Sequence, residues 1–274
     1  MESDIFVLEK KVDGSSNSYT FFCPENYLEP IKNKGFLGKS YLRHFDQLPK
    51  LRIYKNKNEI PLQVIPKKDA GLTHDARLYY ALESHEDSTF TAELKPNATT
   101  QQFLIDLGKE ENWERHLHQF PIIQGDSFWI PAGRVFAYQG ESSLLEIATP
   151  QNHCLTCFQQ NKQLLEEKID FKNRKMPRFV HDSKPITQNR KIPLTPTFGN
   201  FLIEELRLLN LSHESTRGEA HLIIPLEYEL KLISRQYEQT INLSKLEPAF
   251  IPEKTMNYSI SSDSPQRILK IRLP

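Results

Sequence analysis

The chain has 274 residues, and its 35 Lys and Arg balance 35 Asp and Glu, so its formal net charge at pH 7 is zero. Balanced charge excludes a global electrostatic attraction to nucleic acid or to an acidic membrane surface. A chain of this length can bury a sizeable core and can form two modest domains. We therefore expect a globular protein with neither a nucleic-acid partner nor a membrane partner.

The first residues, 1–4, are acidic and precede only a short apolar run. This pattern is typical of neither a secretory signal nor a transit peptide. No stretch is long and apolar enough to span a bilayer. The three cysteines are an odd number in a chain with no export signal, so we expect reduced thiols. These features predict a cytoplasmic protein.

The first half of the chain is rich in short apolar runs bounded by Gly, Pro and Asn, which are typical of β-strands. A helical insertion at about 98–119 interrupts them, because an Asn or Thr of the run Asn97-Ala98-Thr99-Thr100 can cap a first turn. Phe103, Leu104 and Leu107 then follow at the spacing of an amphipathic helix. The predicted strands are 19–23, 51–54, 60–64, 77–82 and 127–130.

The second half begins with a predicted helix at 161–169, followed by a polar, proline-marked connector that we expect to separate two domains. Beyond it, closely spaced strand candidates predict a second β-barrel or sandwich. The run 128–131 followed by 144–147 is echoed by 250–252 followed by 268–271, which indicates a duplicated fold. The strand candidates are 201–211, 220–225, 228–233, 239–243, 250–252 and 268–273.

Three motifs of the first half carry a family resemblance. Residues 124–137 read QGDSFWIPAGRVFA, residues 62–69 read LQVIPKKD, and residues 144–146 read LLE. In this order they resemble the Gly-Asp strand with its Pro-Ala-Gly corner, the V-Q-V-H-P-D-D segment and the A-L-E strand of type I mannose-6-phosphate isomerases, a family of the cupin superfamily.

The resemblance implies an all-β fold with small helical insertions and two cupin domains, which are jelly-roll β-barrels. We predict that residues 1–160 form the N-terminal cupin domain, with the insertion at about 98–119. Residues 161–197 form a helix and linker, and residues 198–274 form a C-terminal cupin-like domain.

The family binds a divalent metal, usually zinc, through a Gln, a His two residues later, a Glu on the next strand and a His at the Pro-Ala-Gly corner. The resemblance places Gln63, Ile65, Ala76 and Phe136 at these four positions. An unpaired carboxylate is costly to keep in a metal-free interior. We therefore predict that the metal cofactor is lost, and that Ile65, Ala76 and Phe136 meet in a repacked barrel core.

Without a metal to polarise the carbonyl group, aldose–ketose isomerisation loses its charge stabilisation. The leading hypothesis is a catalytically inactive mannose-6-phosphate isomerase-like protein that binds a sugar or sugar phosphate, or acts as a regulatory protein through an unknown partner. Two alternatives stay open: an active isomerase of carbohydrate metabolism with relocated ligands, and an interaction module with a filled barrel. Candidate ligand-binding residues at the barrel mouth are Arg52, Gln63, His74, Arg134 and Glu146.

Two other groups of residues could hold a metal. His74 could form a distorted three-ligand site with Gln63 and Glu146, although glutamine binds zinc poorly. Cys154 and Cys157 have the spacing of a metal or redox pair, but a zinc site needs about four ligands and the chain has one further thiol. For both groups the simpler interpretation is ordinary strand residues.

Overall fold

The structure is a computed structural model that describes residues 6–12, 18–22, 49–67, 75–149, 154–171, 178–179, 184–194, 201–235 and 238–273. It divides into two compact units, one built mainly from residues 49–182 and the other mainly from residues 183–274. We call them the N-terminal unit and the C-terminal unit. The predicted linker, 161–197, contributes to both, because its helix lies in the first unit and a strand at Arg190–Pro193 lies in the second.

The N-terminal unit is built around one antiparallel sheet of ten strands. The first described strand, β1 (Phe6–Val7), pairs in the C-terminal unit. The strands of the sheet are β2 (Glu9–Val12), β3 (Ser18–Phe22), β4 (Lys50–Val64), β5 (Ala76–Ser84), β6 (Thr89–Leu94), β7 (Leu117–Pro121), β8 (Ser127–Pro131), β9 (Val135–Ala148), β10 (Leu155–Thr156) and β11 (Arg178–Phe179). The central order is β8-β5-β9-β4, and β9 also pairs with β6.

The described residues include two α-helices, α1 (Thr100–Gly108) and α2 (Lys162–Lys168). The Thr99 hydroxyl accepts a hydrogen bond from the Gln102 amide, as the predicted cap requires. The predicted insertion is wrong in its second part, because Trp113–His116 form a 3₁₀ turn and β7 begins at Leu117. Strand pairing of β7 with β6 overrides the helical spacing there. In the part of the chain that is described, no helix is long and apolar enough to cross a membrane.

Alternation along the strands places two apolar clusters of described residues on opposite faces of the sheet in the N-terminal unit. Leu62 and Val64 of β4 pack with Phe103 of α1 and Leu165 of α2, on the outer face of the sheet. The opposite face encloses a second cluster, which forms the barrel interior and contains Ile65, Tyr79, Phe90, Phe128 and Phe136. The helices therefore cover the barrel from outside, and the interior belongs to residues of the strands.

The C-terminal unit consists of two antiparallel sheets that share one apolar cluster. The strands are β12 (Arg190–Pro193), β13 (Leu202–Leu208), β14 (Leu211–Ser215), β15 (Ala220–Pro225), β16 (Leu230–Ser234), β17 (Gln239–Leu243), β18 (Ala249–Ile251), β19 (Asn257–Ser261) and β20 (Gln266–Leu273). One sheet has the order β1-β18-β15-β20-β13-β12, and the other has the order β14-β19-β16-β17. The predicted all-β architecture with small helical insertions is confirmed.

Gly133 makes the corner between β8 and β9. Its φ is +83°, and a Cβ at this position would lie 2.8 Å from the Cβ of Asp170. Its amide donates to the Ile65 carbonyl and its carbonyl accepts from the Asp170 amide, so the backbone cannot easily turn away. We expect Gly133→Ala to lower the free energy of unfolding of the N-terminal unit by about 2 kcal/mol.

Both tryptophans of the chain, Trp113 and Trp129, are buried in the N-terminal unit, so tryptophan fluorescence during urea unfolding measures this unit alone. Gly108→Ala is the matched control, because nothing lies within 4 Å of a Cβ there and the residue ends α1. We expect it to leave stability unchanged or raise it by about 0.5 kcal/mol. Equal effects of the two substitutions would contradict the strain at Gly133.

Candidate functional site

Glu146 lies at the centre of a polar cluster inside the N-terminal barrel. It belongs to β9, between β4 and β5, and pairs directly with Arg52 on one side and Tyr79 on the other. Directly paired residues of neighbouring strands share a face, so strand register brings these side chains together. Glu146 is only 3% exposed. We define the Glu146 cluster as Arg52, Tyr54, Arg77, Tyr79 and Glu146.

Hydrogen bonds converge on the Glu146 carboxylate. The Arg77 Nη1 atom donates to Oε2 at 2.8 Å, and the Tyr79 hydroxyl donates to the same oxygen at 2.5 Å. The Tyr54 hydroxyl lies 3.4 Å from it and accepts a hydrogen bond from Arg52 at 3.1 Å. Arg52 is the outermost member, with 40% of its side chain exposed. The carboxylate is therefore enclosed by donors, and one guanidinium faces outward.

The charges of the cluster follow from burial. Burial, together with the charge of Glu146, raises the pKa of Tyr54 to about 12. The pKa of Tyr79 is raised well above its ordinary value for the same two reasons. Burial alone would lower the pKa of Arg77, but Tyr79 and Glu146 raise it above its ordinary value. Both tyrosines are thus neutral donors, Arg77 is a permanent cation, and two guanidiniums face one carboxylate.

The four positions taken from the family motifs do not all lie on the predicted face of their strands. Ile65 and Phe136 lie together in the barrel interior. Gln63 is half-buried and pairs with Phe136 on one side and Thr156 on the other. The prediction that Ala76 meets them is wrong, because Ala76 pairs with Pro131 and lies on the opposite face of β5 from Arg77 and Tyr79. The inward position at this point of β5 is that of Arg77.

Aromatic rings fill the interior beside the Glu146 cluster. Phe90 stacks on Phe128 with a centroid distance of 4.3 Å and lies parallel to Phe136 at 6.2 Å. Tyr79 packs against Phe136 at 5.7 Å, so the ring that carries a donor to Glu146 is part of the same packed group. The position predicted for a histidine ligand is therefore occupied by a core aromatic side chain with no exposed surface.

Arg134, another predicted ligand-binding residue, makes its described contact away from the Glu146 cluster. Arg134 is buried at the β8–β9 corner, where its Nη1 atom donates to the Asp170 carbonyl at 3.2 Å. Burial lowers its pKa. His74 lies outside the described residues. Of the predicted group, the structure brings Arg52 and Glu146 together, and it adds Arg77, Tyr54 and Tyr79, which the sequence analysis missed.

A zinc ion does not fit the four motif positions. Zinc in proteins takes nitrogen, sulfur or carboxylate oxygen ligands, usually four of them. Gln63 is the one polar side chain of the predicted set, and the inward neighbour of Ala76 is the cation Arg77. Burial raises the pKa of both Cys154 and Cys157 to about 12, so both are protonated thiols. Within the described ranges, no three His, Cys, Asp or Glu side chains are grouped to hold a metal ion.

No family model and no curated protein matches the chain, whereas solved structures do. A mutant of phosphomannose isomerase from Salmonella typhimurium has a TM-score of 0.70 at 13% identity and covers 99% of this chain and 100% of its own. The mannose 6-phosphate isomerase from Bacillus subtilis has a TM-score of 0.69 at 11% identity, with 100% of both chains covered. The S. typhimurium enzyme bound to its substrate and zinc has a TM-score of 0.68 at 14% identity, covering 99% and 100%.

These similarities define the class of fold, an all-β protein with small helical insertions. More narrowly, the chain has the fold of the mannose 6-phosphate isomerases along nearly its whole length. The resemblance carried by the three sequence motifs is confirmed at the level of the fold.

One prediction made from the sequence is corrected by the same comparison. We predicted that the chain uses no metal cofactor, but a protein of this fold is bound to zinc in its solved structure. That prediction is therefore wrong. The structure restricts only the place of a metal, since the four motif positions do not supply its ligands.

Proposed function

We propose that this chain is an isomerase-like protein that binds a sugar phosphate and does not isomerise it in the N-terminal barrel. The observation that carries the proposal is the Arg77–Glu146 ion pair, which occupies the barrel interior beside the packed ring of Phe136. Aldose–ketose isomerisation needs a base that can take a proton from carbon. The Glu146 carboxylate is already engaged by Arg77 and Tyr79, and it is too enclosed to reach a substrate.

Binding of a phosphorylated sugar is supported by the charge at the barrel mouth. Arg52 and Arg77 place two guanidiniums beside Glu146, and Arg52 is the more exposed of the two, with 40% of its side chain accessible against 12%. A guanidinium can bind phosphate oxygens through two parallel hydrogen bonds. The solved S. typhimurium isomerase of the same fold is bound to fructose 6-phosphate, which suggests the class of ligand to test first.

The decisive experiment measures turnover and binding on the same purified chain. We expect no conversion of mannose 6-phosphate to fructose 6-phosphate, with or without added zinc. We also expect mannose 6-phosphate, but not mannose, to raise the unfolding temperature of the N-terminal unit. Arg52→Gln should weaken this binding about tenfold, since it removes a charged hydrogen-bond donor.

Lys109→Gln is the matched control, because it removes an exposed positive charge at the end of α1. It should bind like the wild type. Turnover by the wild type would establish the alternative function, an active isomerase whose ligands have moved. A chain whose unfolding temperature is indifferent to mannose 6-phosphate would contradict the binding half of the proposal.

A further inference from the structure

A cleft of about 500 Å³ opens between the two sheets of the C-terminal unit. Strands β12, β13 and β20 line one side, and strands β14, β16 and β19 line the other. This volume is typical of small-molecule sites. An apolar cluster with residues of both sheets lies in the same unit, so the cleft adjoins the apolar interior.

The floor of the cleft is charged, although it lies between two sheets. The Lys270 ammonium of β20 lies 2.7 Å from Glu214 Oε2 of β14, and both side chains are at most 4% exposed. The Lys191 ammonium reaches the same oxygen at 2.7 Å, and the Ser212 hydroxyl donates to the other oxygen at 2.8 Å. An apolar pair of similar volume would stabilise a barrel at least as well. A buried ion pair at the bottom of a cleft therefore indicates a binding role.

A neutral polar pair lies next to this floor. His221 is 1% exposed, and its Nδ1 atom lies 2.8 Å from the Tyr258 hydroxyl. Burial, followed by the charge of Lys270, lowers the pKa of His221 to about 3, so the imidazole is neutral. Tyr258 also lines the cleft. The base of the cleft thus has a hydroxyl group beside fixed charges, which suits a ligand with both hydroxyl and anionic groups.

The rim of the cleft is cationic. Arg217 and Arg235 are both exposed, and among the residues that the structure describes neither has a carboxylate partner. Arg272 is paired with Glu219 at 2.7 Å. The cleft is lined by five Lys and Arg side chains and three glutamates, so it has an excess of two positive charges. A phosphate monoester carries between one and a half and two negative charges at neutral pH.

We infer that this cleft binds a phosphorylated sugar or similar phosphorylated polyol, with the phosphate at Arg217 and Arg235 and the hydroxyl groups toward Tyr258 and Glu204. Glu204 lines the cleft, and a carboxylate can accept hydrogen bonds from the hydroxyl groups of a ligand. In this orientation the phosphate lies beside the arginines of the rim, and the hydroxyl groups of the ligand lie beside hydrogen-bonding side chains of the floor. The site is separate from the Glu146 cluster, and the inference goes beyond the function proposed for the N-terminal barrel.

Titration calorimetry on the full chain, with inorganic phosphate, mannose 6-phosphate and mannose as probes, tests the inference. We expect both phosphate compounds to bind and mannose not to bind, with mannose 6-phosphate the tighter of the two. Arg217→Gln combined with Arg235→Gln should weaken binding at this site at least about tenfold, because two charged donors are lost. The exposed Lys245→Gln, which lies outside the cleft, is the matched control.

Arg52→Gln separates this site from the one in the N-terminal barrel. If the proposed function fails and the inference holds, Arg52→Gln leaves sugar phosphate binding intact and the double variant removes it. Wild-type affinity for phosphate and mannose 6-phosphate in a variant that combines the two cleft substitutions with Arg52→Gln would overturn the inference. Both arginines are exposed, so the double variant is expected to fold, and an unchanged unfolding temperature without ligand confirms that it does.

Discussion

Arg77→Met is expected to lower the free energy of unfolding of the N-terminal unit by about 3 kcal/mol. Glu146 is 3% exposed, and its shortest contact with a cation is the one to Arg77 at 2.8 Å. Arg52 lies 4.0 Å away and is far more exposed, so it cannot replace that partner. The loss therefore leaves a buried carboxylate with incomplete charge compensation, which costs much more than the loss of a surface ion pair.

The double variant Arg77→Met with Glu146→Gln distinguishes charge from packing. A glutamine at position 146 still accepts the Tyr79 hydroxyl hydrogen but needs no cation, so we expect at least half of the lost stability to return. Urea unfolding followed by fluorescence of Trp113 and Trp129 measures both variants within this unit. If the double variant is no more stable than Arg77→Met, the ion pair is not the origin of the effect.

Glu214→Leu should have the largest effect in the C-terminal unit, about 4 kcal/mol. It leaves Lys270, whose side chain is 4% exposed, without its carboxylate partner, whereas Lys191 is 46% exposed and can be solvated. Adding Lys270→Met should recover most of the loss, since both buried charges are then absent. Hydrogen exchange of the amides in β13 and β20 measures the stability of this unit directly.

The dependence on pH gives an independent check of the same ion pair. Burial raises the pKa of Glu214, but hydrogen bonds from Lys191 and Lys270 outweigh it and hold the pKa below the ordinary value. A carboxylate with a lowered pKa contributes stability above its unfolded pKa, and this contribution is lost as pH falls through its folded pKa. Exchange protection in the C-terminal unit should therefore decline on acidification below about pH 4 in the wild type. The decline should be smaller in the paired Glu214→Leu and Lys270→Met variant.

The fold could be predicted because its signals are local. The Gly-Asp turn, the strand ending at Pro131 and the glycine corner at Gly133 lie within one short segment. Each is required by the local backbone conformation, and Gly133 has the positive φ that such a corner needs. Alternating apolar runs then predict the other strands.

The candidate site could be predicted only in part, because strand register is not a local property. A shift of one residue moves every side chain of a strand to its other face. The segment 68–74 separates β5 from the motif on β4 and has no pattern that fixes the register, so Ala76 was assigned the place that Arg77 takes. The Arg77–Glu146 pair joins residues 69 positions apart, and no spacing in the sequence indicates it.

The C-terminal cleft was missed for a related reason. Glu214 and Lys270 are 56 residues apart and meet only because their two sheets face each other. In the sequence, each is a single charged residue in a strand whose polar and apolar residues alternate. Such a residue is ordinarily interpreted as facing solvent. Burial reverses that interpretation, and burial depends on which sheet covers the strand.

The position of β9 in the sheet also affects the biogenesis of this protein. Strands β4, β5 and β6 are synthesised first, but each of them pairs with β9, which begins only at Val135. A nascent chain that stops short of this strand has three strands whose apolar side chains lack the shared neighbour that covers them. Truncated or stalled chains of this length are therefore expected to aggregate and to depend on chaperones that bind exposed apolar surface. We expect the N-terminal sheet to form only after β9 has left the ribosome.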